Sequence, residues 1–279
     1  MKQAMFRWKR KGNLWHGGAV AHRGSLRRPW PIPGVFWRLG TRKIDDAIIE
    51  PAPQSPPSFE THLQPVFELS TRRIVGFEVF NRIVGESTKD FLEKHSLAFS
   101  LTVERSMIGQ INAAERLLPR GVWLSFNMSR RYIESTSSIL EVPKVEDREI
   151  YVEVASEESG SGSEELLAIV GDLTLRIPDG YRIAVVGSAS ELNSGRLSSS
   201  ISAGMVKISR SWVSGIADDP VRLAHVESAV KAASANGVKV VAEGIERSED
   251  LEALERVGVV FGQGFLLGRP IQIDLGLDG

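Results

Sequence analysis

Eight polar side chains interrupt runs that otherwise read as apolar strands: Gln64, Glu78, Arg82, Asn127, Glu153, Lys207, Glu243 and Gln263. Taken singly, each is a polar group satisfied at a strand end. Taken together, they recur on strand after strand. Acid and amide oxygens suit hard cations such as Mg²⁺ or Mn²⁺. If the strands close into a barrel, their ends converge on one face and build a pocket with acids, amides and a lysine.

The elements that must position them are clearest in Lys239–Pro270. Val240–Ala242 is an apolar run that ends in Glu243, then Gly244 and a second acid, Glu246. A helix follows, with Ser248 as its expected cap, Glu249 and Asp250 in its first turn, and Leu251, Leu254 and Val257 on one side. Val259–Leu267 is a second strand-like run carrying Gln263. Upstream, 62–69 and 72–82 flank Ser70-Thr71 as a β-hairpin, and Pro65 favours an edge or strand-end place for its strand. Residues 89–118 read as mostly helical, 121–128 and 149–155 as strands, 164–177 as a helix, and 181–186 and 205–208 as strands. Asp219–Asn236 is a helix with Asp219 as N-cap, Pro220 at its first position and a stripe of Val226, Ala229, Val230 and Ala233. This alternation favours a (β/α) barrel over a doubly wound sheet. The expected fold is α/β: a modified TIM-like (β/α)8 barrel that opens with a β-hairpin, so that one strand is antiparallel, plus a basic N-terminal extension.

The 279-residue chain has no cysteine, which excludes disulfides, zinc–cysteine sites and thiol chemistry. No apolar run reaches the ~18–20 residues of a membrane helix, and a cytoplasmic location is expected. The net charge of −1 hides an asymmetry. Residues 1–43 hold 11 Lys or Arg and no acid, which leaves 23 basic against 35 acidic residues, or −12, for the remainder. The same arm carries Trp8, Trp15, Trp30 and Trp37. Such interleaving suits nucleic acid or an anionic membrane surface; the plainer alternative is a leader with no binding role. Pro51, Pro53, Pro56 and Pro57 mark a linker. The expected division is a flexible leader and linker over 1–57 and the barrel domain over 58–279.

With these residues in hand, the chain from about Thr61 to Ile271 resembles the EAL domain, the cyclic di-GMP phosphodiesterase family. LQPVFELSTRRIVGFEVFNR resembles the family's opening, its signature reading Glu78-Val79-Phe80 with Arg82 following. SFNMS is similar to the Asn-Leu-Ser element, YVEVAS to the Leu-Glu-Ile-Thr-Glu strand, and MVKIS to Lys-Ile-Asp; VVAEGIE and GQGFLLGRP match closely. The resemblance implies two-metal phosphodiester hydrolysis. It assigns Glu78, Lys207 and Glu243 to catalysis, Gln64, Glu78, Arg82 and Gln263 to ligand binding, and Glu78, Asn127, Glu153 and Glu243 to metal. It also implies a homodimer formed through barrel-edge helices.

The departures carry the functional expectation. Where the family has Asp-Asp-Phe-Gly, this chain has Val185-Val186-Gly187-Ser188. Ser209 replaces the aspartate of Lys-Ile-Asp, and Ser156 the second glutamate after strand four, with Glu157 and Glu158 adjacent. The loop over 188–202 is short and serine-rich. The remaining ligands would hold at most one Mg²⁺ or Mn²⁺, weakly. The leading expectation is a degenerate, non-catalytic signalling module that senses cyclic di-GMP, with Arg82 on a phosphate and Gln263 on a base or ribose, or that binds a regulatory protein. The alternative is a weakly active phosphodiesterase yielding pGpG, with Glu157 or Glu191 filling in. A third reading is a scaffold that uses only the barrel surface.

Overall fold

The computed structural model describes residues 6–11, 14–19, 57–85, 87–135, 148–155, 163–177, 179–187 and 203–275. In the leader, β1 (Phe6–Lys11) and β2 (Leu14–Ala19) pair as an antiparallel ribbon, which the apolar pattern did not announce.

The barrel starts with the expected hairpin, β3 (Phe59–Glu68) and β4 (Arg73–Ile83), antiparallel to one another. β5 (Trp123–Asn127), β6 (Ile150–Ala155), β7 (Tyr181–Gly187), β8 (Ala203–Ile208), β9 (Lys239–Ala242) and β10 (Phe261–Gly262) then add in order, each parallel to its predecessor. β10 pairs antiparallel with the C-terminal part of β3 and closes eight strands. β11 (Ile271–Ile273) pairs with Thr61–Leu63 of β3 outside that closure. Pro65 therefore lies inside a ten-residue strand, in the gap between the stretches paired by β11 and β10. A residue without an N–H is tolerated there because neither neighbour pairs with it on that side.

The run 259–267 was expected to be one strand, yet only two of its residues are strand. The chain turns at Gly264 to wrap the backbone of Ile245: the Ile245 N–H donates to Gln263 O at 3.0 Å, and the Leu266 N–H to Ile245 O at 3.0 Å. A Cβ on Gly264 would stand 2.2 Å from the Ile245 backbone, so this position admits only glycine.

Helices α1 (Thr88–Lys94), α2 (Leu97–Glu115), α3 (Arg130–Ser135), α4 (Ser163–Arg176), α5 (Arg210–Val213), α6 (Pro220–Ala235) and α7 (Ser248–Arg256) fill the connections. α6 starts as expected: the Asp219 side chain accepts from the Arg222 N–H, Pro220 follows, and Val226, Ala229, Val230 and Ala233 are its buried stripe. α7 corrects the sequence reading. Arg247 occupies the N-cap without a side-chain bond, and Ser248 is already helical. Asp250, 1% exposed, instead accepts from the N–H groups of Gly215 and Ala217 at 3.0 Å each and ties the helix to the connection before α6.

Strand alternation sorts side chains into two cores. Outward residues such as Phe77, Leu124, Phe126, Val152 and Ile208 pack in one cluster with residues of α2, α4, α6 and α7. Val66, Trp123, Tyr151, Ala184, Met205 and Val241 form the second cluster, inside the barrel. With both faces buried, a polar side chain on an inward position needs a partner inside the barrel.

Candidate functional site

Above the interior core, at the C-terminal ends of the strands, the inward positions become polar. Lys207 on β8 is fully buried, and three carboxylates from three other strands surround its ammonium. Lys207 Nζ donates to Glu153 Oε1 and Oε2 at 2.7 and 2.8 Å and to Glu78 Oε2 at 2.9 Å, and it stands 2.6 Å from Glu243 Oε1. Glu153 on β6 is 1% exposed, while the Glu78 and Glu243 side chains are 12% and 18% exposed. Gln263, just past β10, donates to Glu78 Oε2 at 2.6 Å and to Glu243 Oε1 at 3.4 Å. Asn127, ending β5, donates to Glu78 Oε1 at 3.1 Å. Six of the eight residues singled out from sequence thus meet in one network, drawn together by strand register and closure.

The other two stand at its rim. Gln64 donates to the Gly268 carbonyl at 3.2 Å. Glu78 is taken by Lys207, and the Arg82 guanidinium lies over the Phe80 ring, 5.4 Å from its centroid. Phe80 is also stacked on His62 at 5.5 Å.

Burial pushes the Glu153 carboxyl up, and repulsion from Glu78 and Glu243 adds to this against the pull of Lys207; it titrates at about 8. Burial also raises Glu243 above the ordinary value, with Lys207 offsetting only part. For Glu78 the balance reverses: burial is outweighed by the charge of Lys207 and by bonds from Gln263, Lys207 and Asn127, and the carboxyl stays below its usual range. Burial disfavours the Lys207 ammonium, yet Glu153, Glu243 and Glu78 outweigh that and hold it protonated well above the ordinary lysine value.

Oxygen atoms of Glu78, Glu153 and Glu243 lie within 4.8 Å of one another, close enough to hold one cation. Among the described residues this is the one cluster of three acids or histidines close enough to hold a metal ion. Lys207 Nζ already touches all three carboxylates, and Val186, in register with Lys207, presents an apolar side chain where a further ligand would be needed. Gly187 adds none. The acids expected to compensate, Glu157, Glu158 and Glu191, lie outside the described residues, as do Ser156 and the serine-rich loop.

A cleft of about 370 Å³ opens above the network, lined by Gln64, Glu78, Arg82, Arg210, Glu246 and Gln263 among others. The Oε1 of Gln263, a lining residue, is itself buried and has no partner. A second hollow of about 470 Å³ runs beneath α1 and α2; Phe80 and Asn127 line both and divide them. Sequence reasoning missed Phe80 as a rim residue, and also Arg210. The one available signal for Arg210 was a charge directly beyond a strand end.

Comparison with known proteins bears out the fold. The family described as "EAL domain" matches residues 52–270. A probable cyclic di-GMP phosphodiesterase of Escherichia coli K12, PdeN, is 24% identical over 234 residues, covering 77% of this chain and 44% of the relative. A second, PdeG of the same organism, is 26% identical over 192 residues, covering 66% and 37%. The chain thus spans less than half the length of these relatives. The manganese/cy-diGMP complex of Klebsiella pneumoniae BlrP1 superposes with a TM-score of 0.65 at 21% identity, covering 79% of this chain and 57% of that one.

Proposed function

The chain belongs to the EAL domain family, and from that premise we propose that it is a non-catalytic cyclic di-GMP module, reading the nucleotide rather than opening it. The observation that carries the reading is the ammonium of Lys207 at the centre of three carboxylates, 2.6–2.9 Å from each. The cation this cup is shaped for is supplied by the chain itself. Val186 and Gly187 add no charge that would draw in a pair of dications. Hydrolysis by this family's route needs a clamp on both the attacking and the leaving oxygen, and a lysine cannot provide it. The cleft keeps what nucleotide recognition needs: Arg82 at its rim for a phosphate, and Gln64 and Gln263 in its lining for a base or ribose.

A second reading has its own support. The three carboxylates lie close enough to hold one ion were Lys207 to withdraw, which would leave a slow phosphodiesterase. One experiment separates the two. The chain is titrated calorimetrically with cyclic di-GMP in EDTA and in Mn²⁺, and the same mixtures are assayed for pGpG. Binding without product is expected. Product formation that Glu78→Ala abolishes would overturn the non-catalytic reading. Absence of binding in both conditions would leave a protein-binding adaptor.

A further inference from the structure

The Lys207 network sets three carboxylates against one ammonium, a net negative charge directly below the cleft. A cyclic dinucleotide carries two negative charges. Without metal ions between them the two repel, so cations on the cleft wall must hold the phosphates. Among the described residues, two cationic side chains line this cleft, Arg82 and Arg210. Arg210 opens α5 and crosses toward β9, where its Nη2 meets Glu246 Oε1 at 3.0 Å. The lane it follows is kept clear by Gly244: a Cβ there would stand 2.4 Å from Arg210 Cγ and 2.6 Å from its Cβ, and the backbone has φ +68°. The pair is exposed, 65% for the arginine side chain and 38% for the glutamate, so its partner is easily exchanged. Ser209, beside Arg210, bonds Ser211 at 2.9 Å and does not compete for the guanidinium.

We infer that Arg210 and Glu246 form a preset phosphate latch. Glu246 holds the guanidinium at the cleft, and a phosphodiester of the cyclic dinucleotide takes Glu246's place, so that the anion is held by arginine without a metal ion. The inference rests on the nucleotide reading above and specifies how the anion is gripped. Trading an exposed carboxylate for a phosphate gives up a contact worth a factor of at most about five in equilibrium. It gains a charge-assisted, forked bond in a partly enclosed cleft, worth roughly tenfold or more.

The test is calorimetric titration of the whole chain with cyclic di-GMP in EDTA, comparing the unchanged protein with Arg210→Ala and Glu246→Gln. Arg210→Ala should weaken binding by roughly tenfold or more, and its affinity should fall less steeply with added salt. Glu246→Gln should tighten binding by up to about fivefold, because the competing carboxylate is gone. Both side chains are exposed, so melting curves matching the unchanged protein are expected and exclude misfolding as the cause. Binding by the unchanged protein that Arg210→Ala leaves within about twofold, or that Glu246→Gln weakens, overturns the latch alone. No binding by the unchanged protein overturns the latch together with the nucleotide reading beneath it.

Discussion

Replacing Lys207 with methionine tests the electrostatic core of the site. The substitution keeps most of the side-chain volume and removes the charge. Lys207 is fully buried, and each of its three carboxylate partners lies within 2.9 Å. Removing one partner of a buried ion cluster strands the others in a poorly solvating interior, typically at roughly 3–5 kcal/mol. Part of that loss is relieved by protonation, since Glu153 already titrates at about 8 and would be neutral in the variant at pH 7. The low end, roughly 3 kcal/mol, is therefore the expectation at neutral pH. For a domain of this size it corresponds to a melting temperature lower by about 6–12 °C.

The same variant frees the space that Lys207 fills. Three carboxylates within 4.8 Å of one another then form a cation site with no resident cation. Mn²⁺ at millimolar concentration should raise the melting temperature of Lys207→Met by several degrees, as a ligand that binds only the folded state must. It should leave the unchanged protein alone. Melting curves followed by circular dichroism, with and without Mn²⁺, read both effects, and calorimetric titration with Mn²⁺ reads the second directly. Two results refute the reasoning. Strong Mn²⁺ stabilisation of the unchanged protein would show that Lys207 does not take the metal's place. A Lys207→Met protein as stable as its parent would show that the three acids do not depend on that charge.

Further outcomes follow from the same contacts. The Glu153 carboxyl binds its proton more tightly in the fold, at about 8, than its ordinary value of 4.5 allows in the unfolded chain. The stability it contributes is complete below about pH 4.5 and is lost as pH rises toward 8, so melting temperature should decline across that window and Glu153→Gln should flatten the decline; an unchanged slope would refute the assignment. Asp250→Ala strands the N–H groups of Gly215 and Ala217 and should lower stability by about 2–4 kcal/mol in urea unfolding, with Asp250→Asn losing less; a loss under about 0.5 kcal/mol would mean the tie is immaterial.

What could be read from the sequence is what depends on local chemistry and on period. Asp219 and Pro220 announced the start of α6, and its apolar stripe predicted each of the buried residues on that face. The alternation of strands and helices was enough to favour a barrel over a doubly wound sheet, and Ser70-Thr71 between two apolar runs marked its opening hairpin. Ser248 misled because serine is a good cap by type, while the start of α7 is set one residue earlier by the turn after β9. Val259–Leu267 misled because an apolar run does not reveal that Gly264 must pass within contact of Ile245 and bend the chain.

The site divides along the same line. Glu78, Glu153, Lys207 and Glu243 could each be marked as polar intruders in apolar strands. Which of them touch is fixed by the register of β4, β6, β8 and β9 around a closed barrel, a relation between residues up to 165 positions apart that no local pattern encodes. A lysine in an apolar strand announces that it needs acids, but it does not say that it will take three at once. Read as a list the acids are candidate metal ligands; as a cluster each also stands within 2.9 Å of the Lys207 ammonium, which is what the non-catalytic proposal rests on. Arg210 and Glu246 lie outside any apolar run, so burial does not compel their pairing. The room that Gly244 leaves for the arginine becomes visible only once β8 and β9 lie side by side.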